Sequence, residues 1–191
     1  MLQTPYNSDL VWMRRALGLA AEARGLVWPN PPVGCVIVKE SAVVAEAATH
    51  KGGRPHAEKK ALDQAGASAK GATLYVTLEP CCHWGKTPPC ADAIIEAAVS
   101  RVVCATQDPD PRVNGGGFEK LRHAGVELTV GLCAEAAINL MSGFFHRIQT
   151  GFPELVAFDQ SSDCVPVGTD GVLVSNDLGA EQTPRLGKKR F

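Results

Sequence analysis

Aromatic residues make up only 6% of the 191-residue sequence, and neither sign of charge is in excess. No apolar run reaches the roughly 18 residues that a membrane-spanning helix requires. Lysine and arginine number 19 against 20 aspartates and glutamates, so the formal net charge is −1. Nucleic-acid-binding domains usually carry a clear basic excess. The balanced charge therefore favours a small-molecule substrate.

The first nine residues have neither the basic start nor the apolar stretch of a secretory signal peptide. Cysteine occurs seven times, an odd number, and Cys81 and Cys82 are adjacent, which argues against the disulfide framework of a small secreted protein. These features predict a soluble, cytoplasmic protein whose thiols bind a metal or lie in the core. Length and composition suit one domain, expected at 1–150, followed by a tail at 151–191.

Apolar periodicity and turn residues divide the first 150 residues into alternating helices and strands. Strands are expected at 33–39, 42–48, 73–78, 101–105 and 126–130, and helices at 8–25, 56–65, 88–99, 118–124 and 134–148. The first two strands form an antiparallel hairpin, and the last two are joined through a helix and should run parallel. This order predicts a three-layer α/β domain with a mixed five-stranded sheet. One further strand is expected near 171–175.

Two segments carry the residue types of a catalytic zinc site. The first contains His56 and Glu58, and the second contains Cys81 and Cys90. Two predicted helix starts and one strand end can bring the imidazole and both thiols to a single point. Three protein ligands leave a fourth position for water, whose pKa zinc lowers towards about 7. Glu58 can carry protons for that water because it is next to a ligand without being one.

The histidine–glutamate pair taken alone, and the remaining cysteines, have simpler interpretations than a metal site. A histidine and a glutamate at this spacing are by themselves common on protein surfaces, and only the cysteines in register turn the pair into a site. Cys82 is an alternative ligand to Cys81, although the end of the strand favours Cys81. Three cysteines in apolar runs are interpreted as core thiols: Cys35, Cys104 and Cys133.

The His-x-Glu element followed by Pro-Cys resembles the signature of zinc-dependent deaminases. The spacing from Cys81 to Cys90 is longer than the usual Cys-x-x-Cys of that superfamily. Together with further motifs, it resembles the deaminase domain of the bifunctional riboflavin-biosynthesis deaminase/reductase over residues 8–150. These motifs lie at 30–38, 50–58, 73–80, 85–90, 107–111 and 143–147.

The resemblance implies a cytidine deaminase-like fold, a Zn²⁺ cofactor and hydrolytic deamination of 2,5-diamino-6-(5-phosphoribosylamino)pyrimidin-4(3H)-one. It assigns His56, Cys81 and Cys90 as metal ligands and Glu58 as the catalytic proton carrier. Six residues match positions that line the substrate pocket: Asn30, His50, His83, Lys86, Thr87 and Asp108. Within this set, a lysine and a threonine at a helix start are expected to bind the phosphate.

Some features of the chain depart from this family. Ala45 and Ala47 replace the glycines of a Gly-Glu-Gly element, and Lys59 and Lys60 follow the His-Ala-Glu motif, where an apolar residue is common. The NADPH-dependent reductase domain of the family does not fit into residues 151–191, so reductase activity is expected to be absent. The tail is interpreted as a remnant of that domain or a replacement for it. A separate reductase in the pathway and a homo-oligomeric state are also expected.

Two other functions remain open at the level of the sequence. The chain could deaminate another small pyrimidine, purine or pteridine-like compound with the same fold. It could instead be a non-catalytic zinc-binding homologue, against which the intact Glu58 argues. For His83 the alternative to the pocket is a role within its loop, and Trp84 either stacks on the pyrimidine or covers the loop.

Overall fold

The computed structural model of the protein describes residues 5–85, 87–158 and 171–174. The helices are α1 (Pro5–Ala23), α2 (Ala57–Ala65), α3 (Cys90–Glu96), α4 (Gly116–His123), α5 (Ala134–Leu140) and α6 (Ser142–Thr150), with a 3₁₀ helix at Gly66–Ala69. The strands are β1 (Gly34–Lys39), β2 (Ala42–Ala48), β3 (Thr73–Val76), β4 (Arg101–Cys104), β5 (Glu127–Val130), β6 (Leu155–Phe158) and β7 (Gly171–Val174). The strands expected before residue 150 are all present, with ends that shift by a few residues.

The central sheet has the strand order β2-β1-β3-β4-β5. Strand β1 pairs antiparallel with both β2 and β3, whereas β3, β4 and β5 run parallel. The predicted mixed sheet, hairpin and parallel crossover are therefore confirmed. Because β3 and β4 point the same way, the segments that leave their carboxyl ends start from one end of the sheet.

Helices cover both faces of the sheet and complete the three layers. Helix α1 packs on β1, β2 and β3 and contacts α5, while α2 packs on β1 and β2 and contacts α3. The apolar residues that face the sheet from these helices are buried together with those of the strands, among them Met13, Ile37, Leu74 and Ile94. Each large apolar side chain buried in this way contributes about 2 kcal/mol to folding.

The single helix expected at 134–148 is instead two helices, so that prediction is wrong. The backbone at Met141 leaves the helical region, with φ −110° and ψ 21°. Ser142 and Gly143 follow, and both are weaker helix formers than alanine or leucine. The Ser142 hydroxyl also donates a hydrogen bond to the Glu154 carboxylate at 2.9 Å. This contact joins the first residue of α6 to the chain beyond its end, at the point where the helical direction changes.

The strand expected at 171–175 is present as β7 in its described part, while Ser175 lies outside the described residues. It pairs in parallel with β6, which the sequence did not predict, in a separate two-stranded sheet. Over the described ranges, none of the helices is both long enough and apolar enough to cross a lipid bilayer.

Candidate metal centre

Three segments bring one nitrogen and two sulfur atoms together at the metal centre. His56 immediately precedes α2, Cys90 is the first residue of α3, and Cys81 lies on the segment that leaves β3. His56 Nδ1 lies 3.7 Å from Cys81 Sγ and 3.4 Å from Cys90 Sγ, and the ligand atoms of all three lie within 4.8 Å of one another. Tetrahedral zinc, with bonds of about 2.0–2.3 Å, separates its ligand atoms by roughly 3.5 Å. The three donors therefore fit a zinc ion.

Backbone hydrogen bonds hold the two cysteines in register. The Cys90 amide donates to Cys81 Sγ at 3.3 Å, and the Ala91 amide donates to the Cys81 carbonyl oxygen at 3.1 Å. These bonds join the first turn of α3 to the segment that leaves β3. The fold itself therefore positions the two sulfurs.

Hydrogen bonds within the cluster lower the pKa of one thiol and raise the pKa of its two partners. The pKa of Cys81 falls to about 4, chiefly because the Cys90 thiol donates a hydrogen bond to it and because His56 adds to the effect. The same hydrogen bond raises the pKa of Cys90 well above its ordinary value. The pKa of His56 is raised, first by its hydrogen bond with Cys81. The centre thus already holds one thiolate, and metal binding releases the remaining protons.

Glu58 lies in the first turn of α2, two residues after the His56 ligand, and only 4% of its surface is exposed. Burial raises the pKa of its carboxyl group, and its side chain is close enough to Cys90 to hydrogen-bond with it. A buried carboxyl group with a raised pKa beside metal ligands is suited to proton transfer. The structure places Glu58 beside the ligands, and its catalytic role remains a prediction.

Cys82 points away from the three-ligand cluster. Its Sγ lies 3.5 Å from the Arg112 carbonyl oxygen, and the group of possible ligands contains Cys81 instead. Successive residues of an extended segment point to opposite sides, so only one of the two adjacent thiols can face the metal. The structure therefore favours Cys81. Two of the other cysteines, Cys35 and Cys104, are fully buried, as expected for core thiols.

Glu79, for which the sequence predicted no role, is 3% exposed and lies two residues before the Cys81 ligand. Its Oε1 accepts hydrogen bonds from the backbone amides of Gly117 (2.9 Å) and Phe118 (3.2 Å). Its Oε2 accepts from those of Asp108 (3.1 Å) and Gly115 (3.0 Å). Four amides thus hold one carboxylate and tie the exit of β3 to the segment 108–118. The available signal was an acidic residue directly after an apolar strand.

Gly117 is required at this contact because the backbone approaches too closely for a side chain. A Cβ at this position would lie 2.1 Å from the Pro80 carbonyl oxygen and 3.1 Å from Glu79 Oε1. Real Cβ atoms do not come so near to backbone oxygens. The close approach lets the Gly117 amide reach the Glu79 carboxylate.

Asn30 and His50 lie beside the segment that leads into His56. The Asn30 amide group donates to the Gly53 carbonyl oxygen at 2.8 Å. Gly53 has a φ of +87°, and a Cβ there would lie 2.0 Å from Asn30 Nδ2, so this position also requires glycine. His50 is exposed, and its Nδ1 lies 2.9 Å from the Lys51 carbonyl oxygen. That these two residues contact a substrate remains a prediction.

The segment 83–87 differs in part from expectation. Helix α3 begins at Cys90, so Thr87 precedes the helix by three residues and the predicted helix start at 88 is wrong. Its exposed hydroxyl accepts a hydrogen bond from the Arg54 guanidinium at 2.7 Å. Lys86 lies outside the described residues.

Two aromatic residues of the same segment have different surroundings. His83 is half-buried, and its Nδ1 has no hydrogen-bond partner among the described residues. Trp84 is 75% exposed, so a large apolar surface is open to solvent next to the metal centre. Both residues are placed where a substrate could reach them, and their contact with it remains a prediction.

Asp108 is the one acidic residue among the predicted substrate contacts, and it is buried. Burial raises the pKa of its carboxyl group to about 7. Its amide is held by Glu79, and its Oδ1 accepts a hydrogen bond from the Asp110 amide at 2.8 Å. The segment after β4 therefore fixes Asp108 at the same end of the sheet as the metal ligands.

Comparison with known proteins places this site among deaminases. Residues 6–106 match the family model of the cytidine and deoxycytidylate deaminase zinc-binding region. A riboflavin biosynthesis protein RibD from Aquifex aeolicus is 56% identical over 140 residues, which cover 73% of this chain and 39% of that protein. A diaminohydroxyphosphoribosylamino-pyrimidine deaminase from Buchnera aphidicola is 44% identical over 146 residues, which cover 76% of this chain and 99% of that protein.

The fold agrees with these sequence matches. A solved structure of Acinetobacter baumannii RibD is 45% identical and superposes with a TM-score of 0.77, covering 83% of this chain and 46% of that one. The chain thus spans about two fifths of the RibD protein from Aquifex aeolicus, whereas it spans almost all of the Buchnera deaminase.

Proposed function

Because this chain belongs to the zinc-binding cytidine and deoxycytidylate deaminase family, we propose that it deaminates 2,5-diamino-6-(5-phosphoribosylamino)pyrimidin-4(3H)-one in riboflavin biosynthesis. The observation that carries the proposal is the grouping of His56, Cys81 and Cys90 beside the buried Glu58. The Buchnera relative, which this chain matches over nearly its whole length, is named as a deaminase of this kind of compound and supports the substrate. We assign the activity to residues 1–150.

His56 Nδ1 and the sulfurs of Cys81 and Cys90 would hold the metal and leave one position for water. When bound, zinc activates a water molecule as a nucleophile at neutral pH. The first turns of α2 and α3 and the exit of β3 keep the three donors at fixed separations.

Glu58 is the proton carrier in this proposal. Its carboxylate takes a proton from the attacking water as the new C–O bond forms at the ring carbon that bears the amine. It then delivers a proton to the amine nitrogen, the C–N bond breaks, and ammonia leaves. One water is consumed for each ammonia released. The burial that raises the pKa of Glu58 lets it both accept and return the proton.

Other side chains around this centre would bind and orient the substrate. Asn30 and His50 lie on one side of His56, and Asp108 is fixed after β4. We propose that these residues and those of the segment before α3 line the pocket. The full set is Asn30, His50, His83, Lys86, Thr87 and Asp108.

We also propose a cytoplasmic location and a separate reductase that takes the deaminated product. The location is supported by the free cysteines at the site, since two of them must stay reduced to bind zinc. The reductase is supported by the assignment to riboflavin biosynthesis, and a homo-oligomeric state belongs to the same proposal.

The decisive experiment is incubation of the zinc-loaded protein with the phosphoribosylamino diaminopyrimidinone while ammonia is measured. We expect one ammonia for each substrate consumed. A folded, zinc-loaded wild type that releases no ammonia from this compound would overturn the substrate assignment. Ammonia release that persists in Glu58→Ala would contradict the role given to the carboxylate.

The ligand assignment has its own test, which needs no substrate. Cys90→Ser should reduce the zinc content well below one ion per chain, whereas Cys82→Ser should leave it at one. The adjacent Cys82 is the matched control because it is a thiol on the same segment that points away. The opposite result for the two variants would show that the ligands have been misassigned.

A further inference from the structure

Arg54 crosses between the two segments that carry the metal ligands. It lies two residues before His56, and its Nη1 donates a hydrogen bond to Thr87 Oγ1, three residues before Cys90. Its Nη2 would lie 3.3 Å from a Cβ added at Gly85, so the guanidinium lies against the segment before α3. The guanidinium is therefore at the rim of the metal centre.

The sequence next to Arg54 and next to Thr87 carries basic side chains and no acidic ones. The segments 47–57 and 80–91 contain no aspartate or glutamate but include Lys51, Arg54 and Lys86. Within the part of the chain that the structure describes, Arg54 forms no ion pair, whereas Arg101 and Arg112 each pair with an aspartate. A guanidinium has five N–H donors, and a bond to one neutral hydroxyl leaves donors for an anion.

We propose that Arg54, held beside Thr87, binds the phosphate of the substrate and sets the preference for the phosphorylated compound. The proposal rests on the proposed function, which supplies a phosphate at one end of the molecule and the reacting C–N bond at the other. Guanidinium binds phosphate through two parallel N–H bonds. The Thr87 hydroxyl, which accepts from Arg54, can donate its own proton to a phosphate oxygen.

A purely structural role for Arg54 makes a different prediction. The hydrogen bond to Thr87 joins two segments at the surface, where such a bond contributes about 1 kcal/mol or less to stability. If it only joined these segments, its loss would disturb catalysis to the same extent for every substrate. If Arg54 binds the phosphate, its loss should instead affect only the phosphorylated substrate, and this difference distinguishes the two roles.

The test compares Arg54→Gln with wild type on the phosphorylated diaminopyrimidinone and on the same compound without its phosphate. For Arg54→Gln we expect KM for the phosphorylated compound to rise at least about tenfold, with kcat within about twofold. KM for the unphosphorylated compound should stay within about twofold of wild type. Equal changes for both compounds, or no change for either, would overturn the proposal.

Arg122→Gln is the matched control, because it removes the same charge from the exposed last turn of α4. That turn leads into the amino end of β5, at the opposite end of the sheet from the metal centre. We expect the kinetic constants of this variant to match wild type for both compounds. A rise in KM equal to that of Arg54→Gln would show that overall charge, not a local contact, attracts the phosphate.

Titration with inorganic phosphate tests the inference even if the proposed substrate is wrong. We expect zinc-loaded wild type and Arg122→Gln to bind inorganic phosphate equally, and Arg54→Gln at least about tenfold more weakly, as measured by calorimetry. Phosphate binding that depends on Arg54 in a protein inactive on the pyrimidine would refute the substrate and keep the anion site. Wild type that binds no phosphate, or variants that all bind equally, would refute the anion site.

Discussion

Glu58 and Glu79 are two buried glutamates beside the same metal centre, and their surroundings differ. Glu79 accepts hydrogen bonds from four backbone amides, two at each carboxylate oxygen. Glu58 lies against the ligand Cys90, and burial raises its pKa. A carboxylate with four donors is fixed and has no free lone pair for a reacting proton. Glu58 is buried near the ligands without such a set of donors, which suits the proton transfer that we propose for it.

Removing the carboxylate of Glu58 is the most direct test of the difference between the two glutamates. We expect Glu58→Gln to lower kcat for ammonia release by roughly 10³-fold, because the amide cannot carry the proton. Zinc content and the free energy of unfolding should stay close to wild type. An active Glu58→Gln enzyme, or a variant that fails to bind zinc, would contradict the assigned role.

Glu79→Gln should show the opposite behaviour, with a loss of stability as the first effect. The amide nitrogen of glutamine would face two backbone N–H groups, so charge-assisted hydrogen bonds are lost and donors are left unpaired. We expect the free energy of unfolding, measured in urea, to fall by about 3 kcal/mol.

Glu96→Gln, at the exposed end of α3, is the control for the Glu79 variant and should change stability by less than about 0.5 kcal/mol. A Glu79→Gln variant as stable as wild type would show that the four amides do not depend on the carboxylate.

Gly117→Ala tests the Glu79 hydrogen bonds by displacing one of the backbone amides that donate to this carboxylate. The added Cβ would meet the Pro80 carbonyl oxygen and push the Gly117 amide away from Glu79, so we expect a loss of about 2 kcal/mol. Gly18→Ala in α1 has open space around it and should instead raise stability by about 0.5–1 kcal/mol. Thermal or urea unfolding measures the stability of both variants. Equal effects would show that the close contact between Gly117 and Pro80 does not exclude a Cβ.

Asp108 is a third buried carboxyl group near the metal centre, and burial raises its pKa as it does that of Glu58. Its pKa of about 7 lies above the value near 3.9 expected in the unfolded chain. Between these pH values the folded protein keeps a proton that the unfolded chain has released, so the free energy of unfolding falls as pH rises from about 4 to about 7. We expect this loss to be roughly 1–2 kcal/mol, since bound zinc favours the carboxylate and reduces the full shift.

Asp108→Asn should remove that part of the pH dependence and be more stable than wild type above pH 7. Urea unfolding of both proteins across this pH range measures the difference. A variant whose curve runs parallel to that of wild type would show that Asp108 has an ordinary pKa in the folded protein.

Much of the fold was predictable because its signals are local. The apolar runs around Glu40 and Ser41 encode a hairpin, and the alternation of later helices and strands encodes parallel pairing. The break at Met141 was not predictable, because the helical pattern continues through it. There the contact between Ser142 and Glu154, twelve residues later, accompanies the change in backbone direction.

The metal centre was predictable for a different reason, which is that its ligand types and spacing are rare outside metal sites. The roles of Glu79 and Arg54 were not predictable in this way. Glu79 depends on amides that lie 29 to 39 residues away, and every residue except proline has an amide, so no pattern marks them. The role proposed for Arg54 depends on its hydrogen bond to the Thr87 hydroxyl, 33 residues away.

Residue types and short spacings predicted the order of the elements, the donor set of His56, Cys81 and Cys90, and the adjacent carboxyl group of Glu58. These properties depend on residue type and on short spacing. Only the tertiary structure shows which buried glutamate is held by backbone amides. It also decided which arginine lies at the rim without a partner carboxylate. These properties depend on distances between segments far apart in the chain, which packing around the sheet sets.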